Sequence, residues 1–135
     1  MKKHERNHDI IEKMLMYCDQ IDEAVSVFGN DFDIFQNKST YKNAVSMCIY
    51  QIGELSIHLS DDFKNAHSNI PWKQIRGMRN VFAHAYISID INKLWETMQK
   101  DIPALRTYCK EILQELNHEI GQNQDVNGPT IGMNF

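Results

Sequence analysis

Apolar residues recur along this chain at alternating steps of three and four, and no segment shows the every-second-residue alternation of a strand. Ile11, Met14, Cys18, Ile21, Val25 and Phe28 form the first such stripe. Tyr41, Ala44, Val45, Cys48, Ile52, Leu55 and Leu59 form a second. A third runs from Ile91 through Leu94, Trp95, Met98, Ile102, Leu105, Cys109 and Ile112 to Leu116. Stripes of this period are seams along which helices pack lengthwise. The pattern therefore predicts an all-α bundle, and 135 residues suffice for one domain with one core.

Local signals divide the chain further. Gly29-Asn30 ends the first helix, and Asp31 to Asn37 reads as loop. Ser39 or Thr40 is the expected N-cap of a second helix running to about Ser60. Asp61 to Ile70 reads as loop, with Ser68 or Asn69 as cap and Pro71 in the first turn of a third helix reaching Tyr86. Ser88 or Asp90 caps the fourth, which Pro103 should kink or split, with Asp101 as a fresh cap. Four main helices thus occupy residues 1–118, and 119–135, polar and glycine-bearing, reads as a flexible tail.

Composition narrows the class. A hydrophobic fraction of 42% and a charged fraction of 24% are those of an ordinary soluble protein. No apolar run approaches the roughly 20 residues of a spanning helix. Cys18, Cys48 and Cys109 lie on apolar faces without metal-ligand spacing, which points to reduced core thiols in a cytoplasmic protein and no metal site. The net charge of −4 argues against a nonspecific nucleic-acid coat. Yet between Lys64 and Tyr86 the only full charges are Lys64, Lys73, Arg76 and Arg79, all positive. A local phosphate site on that segment is permitted.

On a helical wheel of about 100° per residue, Ile75, Met78, Val81, Phe82 and Ala85 share one side of the third helix. Arg76, Asn80, Lys73 and His84 lie opposite, and Arg79 on the flank. His84 is thus off the apolar face. A solvated basic face explains the same pattern, and so does a site. Arginine stabilises charge developing on phosphorus, and histidine moves a proton near neutral pH. RNA cleavage through the 2′-hydroxyl needs both capacities. Asn80, one turn before His84, can orient its ring or donate to a phosphate. Arg79 and His84 diverge by about 140°, so either their long side chains converge in a groove between helices or two copies of the helix face each other to complete the set. The second helix has a further apolar side, Met47, Tyr50 and Ile57 around Glu54, which fits a homodimer. Glu54, acidic amid that surface, calls for an Arg or His partner.

The stretch Ile70-Pro71-Trp72-Lys73-Gln74-Ile75-Arg76-Gly77-Met78-Arg79-Asn80-Val81-Phe82-Ala83-His84-Ala85-Tyr86 resembles the HepT-like ribonucleases of the HEPN superfamily. Gln51-Ile52-Gly53-Glu54, Leu94-Trp95 and Ile102-Pro103-Ala104-Leu105 strengthen the likeness, which covers about Arg6 to Glu115. The resemblance implies a HEPN-like antiparallel bundle, a homodimer and metal-independent RNA cleavage with no cofactor. It places Arg79 and His84 as the catalytic pair and Asn80 as the polar position between them. Arg76 and Lys73 would support substrate binding. It further implies a toxin whose antitoxin is a minimal nucleotidyltransferase of the MntA type, adding AMP to Tyr86. The alternative of another class is a non-catalytic helical module that binds a nucleotide or regulates a nucleotidyltransferase.

Overall fold

Short polar side chains start three of the described helices. The computed structural model describes the backbone of residues 3–85 and 90–126, and the side chains of residues 5–80 and 90–118. Helix α1 spans Lys3–Phe28 and closes at Gly29, whose φ of 109° suits a residue without Cβ. Asp31 accepts the backbone N–H of Ile34 and starts α2, Phe32–Asn37. Helix α3, Ser39–Ile57, follows directly. Ser60 accepts the N–H of Phe63 and starts α4, Asp61–Ala66. Helix α5 spans Trp72–Ala85, and α6 spans Ile91–Glu96 behind its cap Asp90. A π-helical turn, Thr97–Asp101, leads into α7, Ile102–Val126. All regular structure among the described residues is helical, and none of these helices is long and apolar enough to cross a membrane.

The long stripes meet as their spacing requires. Ile11, Met14, Cys18 and Ile21 of α1 are buried against Tyr41, Val45, Ile49 and Ile52 of α3. Leu94, Ile102, Leu105, Cys109 and Ile112 close the core from the α6–α7 side. At about 25 cal/mol per Å² of apolar surface, such side chains contribute roughly 1.5–3 kcal/mol each, and this burial outweighs helix propensity. Ala44, expected on the core face, is exposed, and Ile49 takes the buried position.

The structure revises several local expectations. Both segments read as loops contain a helical turn or more, because each holds one aromatic anchor. Phe35 of α2 is fully buried between Tyr41 and Trp95, and Phe63 of α4 packs on Trp72 and His67. Lys38 serves as the last cap of α2 and the first of α3, so neither Ser39 nor Thr40 is the cap residue. At α5 the carbonyl of Pro71, rather than a side chain of Ser68 or Asn69, receives the N–H of Ile75.

Pro103 splits nothing at Asp101. It lacks an N–H, and its ring would strike the carbonyl four residues back in an α-helix. The π turn widens the preceding turn, with the N–H of Ile102 reaching back to Thr97. Helix α7 runs on to Val126, into the segment 119–135 that reads as a tail. Residues 127–135 lie outside the described residues.

Candidate active site

Gly53 determines how closely α5 can approach α3. A Cβ at that position would stand 2.6 Å from the backbone nitrogen of Arg79 and 3.1 Å from its Cβ. Only a bare glycine backbone admits such an approach. Ser56 donates from its hydroxyl to the Gly53 carbonyl at 2.7 Å inside the same buried patch, tying the local turn down. Arg79 is therefore placed by backbone contact before its side chain makes any bond.

The side chain is then directed by the next residue of α3. Nε of Arg79 lies 2.8 Å from Oε1 of Glu54, with the two side chains 43% and 28% exposed. The distance makes an ion pair, yet the N–H points too far off line for a hydrogen bond, and this sequestered oxygen has no other partner among the described residues. We read the contact as electrostatic steering rather than a locked bidentate fork. Attachment through Nε leaves both terminal nitrogens of the guanidinium without a partner among the described residues. These are the atoms that pair with a phosphate.

Lys73, Arg76 and Asn80 are all exposed on α5. Positions 73, 76 and 80 fall on one stripe of the helix, so the basic face forms a continuous surface beside Arg79. His84 lies in the last turn of α5, and its side chain falls outside the described ones. Tyr86 lies outside the described residues altogether. The structure thus brings Arg79 and Glu54 together and leaves Lys73, Arg76 and Asn80 open to solvent. The expectation of an Arg or His partner for Glu54 is met by Arg79.

Sequence reasoning overlooked the role of Gly53. A glycine in the middle of an apolar helix costs stability relative to alanine by about 1 kcal/mol, and that cost was the available signal of a close crossing. Other groups have structural partners. His8 contacts Glu12 at 3.5 Å and Asn117 at 3.1 Å. Trp72 donates to the His67 carbonyl, and Trp95 packs on Phe32 and Phe35. His8, Asp9 and Glu12 sit within metal-binding range of one another, but this is a mostly solvated face carrying an ordinary ion pair. The three cysteines are buried and free, and burial pushes the thiols of Cys48 and Cys109 up to about 11 and about 12. Such thiols stay protonated and are poor nucleophiles.

Comparison with known proteins gives the family. The family model described as "Ribonuclease HepT-like" matches residues 14–112, which takes in Gly53, Glu54, Arg79 and His84. A presumed RNase of Caldanaerobacter subterraneus subsp. tengcongensis is 35% identical over 105 residues, covering 78% of this chain and 92% of that protein. A probable ribonuclease HepT of Thermococcus cleftensis is 35% identical over 95 residues, covering 67% of this chain and 86% of that protein. A presumed RNase of Methanocaldococcus jannaschii is 34% identical over 76 residues, covering 56% and 70% respectively. No solved structure matches.

Proposed function

Since this chain belongs to the HepT-like ribonuclease family, we propose that it cleaves RNA internally and without a metal ion, using the exposed face of α5. The observation that carries the proposal is the presentation of Arg79: its backbone rests on Gly53, its Nε pairs with Glu54, and its terminal nitrogens have no partner among the described residues. His84, one turn beyond Asn80, takes the proton of a 2′-hydroxyl. The freed 2′ oxygen attacks the adjacent phosphorus, the bond to the 5′ oxygen breaks, and a proton is returned to that oxygen. The products are a 2′,3′-cyclic phosphate and a 5′-hydroxyl end. Arg79 balances the charge that accumulates on the phosphorane oxygens. Lys73, Arg76 and Asn80 hold flanking phosphates. The need for a 2′-hydroxyl selects RNA over DNA.

A homodimer belongs to the same reading. Met47 is 45% exposed on α3, with Tyr50 and Ile57 half-buried along the same outer side as Glu54. Pairing this side with its copy brings two α5 helices near each other and offsets the wide angle between Arg79 and His84. The toxin role, a minimal nucleotidyltransferase of the MntA type as antitoxin, and AMP addition to Tyr86 complete the proposal and rest on the family resemblance. An adenylyl phosphate on Tyr86 would compete with substrate for Arg79 and Arg76.

The test is RNA cleavage by purified protein in EDTA. Wild type should cut and leave cyclic phosphate ends, while folded His84→Ala and Arg79→Ala proteins should not. Undiminished cutting by those variants would refute the assignment. Growth arrest on expression, relieved by the nucleotidyltransferase, tests the toxin role. Intact mass before and after a Tyr86→Phe exchange tests the modification.

A further inference from the structure

A second feature of α5 lies on its other flank. A cleft of about 430 Å³ opens between α5, α6, the π turn and α7. Its floor is apolar, made by the buried side chains of Ile75, Met78 and Leu105. Its rim carries Gln74, Lys93, Asp101 and the half-buried ring of Tyr108. The π turn brings both Thr97 and Asp101 to the cleft, and π turns of this kind recur where a helix builds a site.

Gly77 stands at the edge of this cleft and has no internal reason to be glycine. Its φ is not in the left-handed region, and no described atom lies within 4 Å of where a Cβ would stand. Glycine in a helix interior is unfavourable, so its presence in α5 suits something outside the chain that must pass close to the backbone. On the wheel Gly77 falls at about 200° from Ile75, between Asn80 and Lys73 near 140–160° and Gln74 near 260°. It is a saddle between the basic face and the cleft.

We propose that the cleft is a nucleobase subsite of the RNA substrate. The strand's phosphates run along Lys73, Arg76 and Asn80, the backbone crosses α5 over Gly77, and one base turns into the cleft. A base is apolar on its faces and polar on its edge, which matches an apolar floor with an aromatic ring and a polar rim. Asp101, a carboxylate, accepts hydrogen bonds from an amino-bearing edge. Uracil has no amino group, and its one ring N–H lies between two carbonyls that a carboxylate repels, so the subsite favours adenine, cytosine or guanine over uracil at the position it reads. This inference rests on the ribonuclease reading above and adds the sequence preference to it.

Cleavage of an RNA pool with randomised positions, with sequencing of the ends and steady-state kinetics on one preferred substrate, tests it. Gly77→Ala meets no atom and favours the helix, so it should raise the melting temperature while raising KM about tenfold. Tyr108→Ala should raise KM by a similar factor with kcat nearly kept, and Asp101→Asn should admit uracil at the read position. If Gly77→Ala and Asp101→Asn keep the wild-type KM and cleavage pattern, the subsite is wrong and the catalytic assignment stands. If wild type itself cuts no RNA, both readings fall together.

Discussion

Two arginines of this protein, Arg106 on α7 and Arg79 on α5, meet carboxylates in opposite ways. Arg106 reaches across to α1 with both terminal nitrogens, one on Asp22 and the other 2.7 Å from Asp19, and leaves its Nε buried without a partner. Arg79 engages Glu54 through Nε and leaves its terminal nitrogens unpaired among the described residues. In the first case both terminal nitrogens are engaged in joining two helices. In the second the joint is made with Nε alone. Two arginines of similar exposure thus divide into a clamp and a presented cation.

Exchange of each arginine for alanine should separate the two roles most widely. Arg79→Ala should lower kcat for RNA cleavage by about 10²–10³, the usual cost of removing one preorganised donor to a developing anion. Its melting temperature should barely change. Arg106→Ala should do the reverse, with near-normal kcat and a stability loss of about 1 kcal/mol, since partly exposed pairs are screened. Thermal melts beside initial rates check both, and equal losses of activity would erase the distinction.

The crossing at Gly53 sharpens the comparison. A Cβ inserted 2.6 Å from the Arg79 backbone forces α5 away from α3. Gly53→Ala should therefore destabilise by about 1–3 kcal/mol, the usual cost of overpacking. It should also lower kcat, because the same shift moves Arg79. No comparable glycine sits at the Arg106 clamp among the described residues, which long side chains span instead.

Much of this architecture was legible in the sequence, and the reason is length. The stripes of α1, α3 and α6–α7 repeat over enough turns for periodicity to show, so the all-α class and the core face follow from spacing. Helices α2 and α4 each span six residues, too few for a period, and they exist because Phe35 and Phe63 find pockets that only tertiary structure makes. The π turn was half legible: Pro103 announced a defect, but spacing could not say that widening the previous turn would absorb it. At the site, the cations of α5 were readable from charge segregation. The partner of Glu54 was foreseen as Arg or His, and only the crossing of α3 over α5 chose Arg79. Gly53 and the cleft beside Gly77 depend on distances between helices, which no one-dimensional pattern carries.

A pH-dependent effect comes from the α1–α7 side, where Cys18 and Cys109 lie near the Arg106 clamp. Burial holds the Cys109 thiol up at about 12, and burial first, then nearby Cys109, Asp19 and Asp22, raises Cys18 further. The folded state therefore resists thiol ionisation while the unfolded chain ionises near the ordinary value of 9.0. Stability is fully present below that value and declines as pH rises from about 9 toward 12. Chemical denaturation at pH 8 and pH 10 should show the decline, and Cys109→Ser should make it shallower, since Cys18 and Cys48 still contribute.

The claim that Glu54 acts by presenting Arg79 is tested most directly by a double-mutant cycle on kcat for RNA cleavage in EDTA, using Glu54→Gln, Arg79→Ala and both together. Glu54→Gln alone should lower kcat by about tenfold, a loss of roughly 1.4 kcal/mol of transition-state stabilisation. In the Arg79→Ala background the same exchange should change kcat very little, because nothing is left for the carboxylate to direct. Full additivity of the two losses would contradict the account.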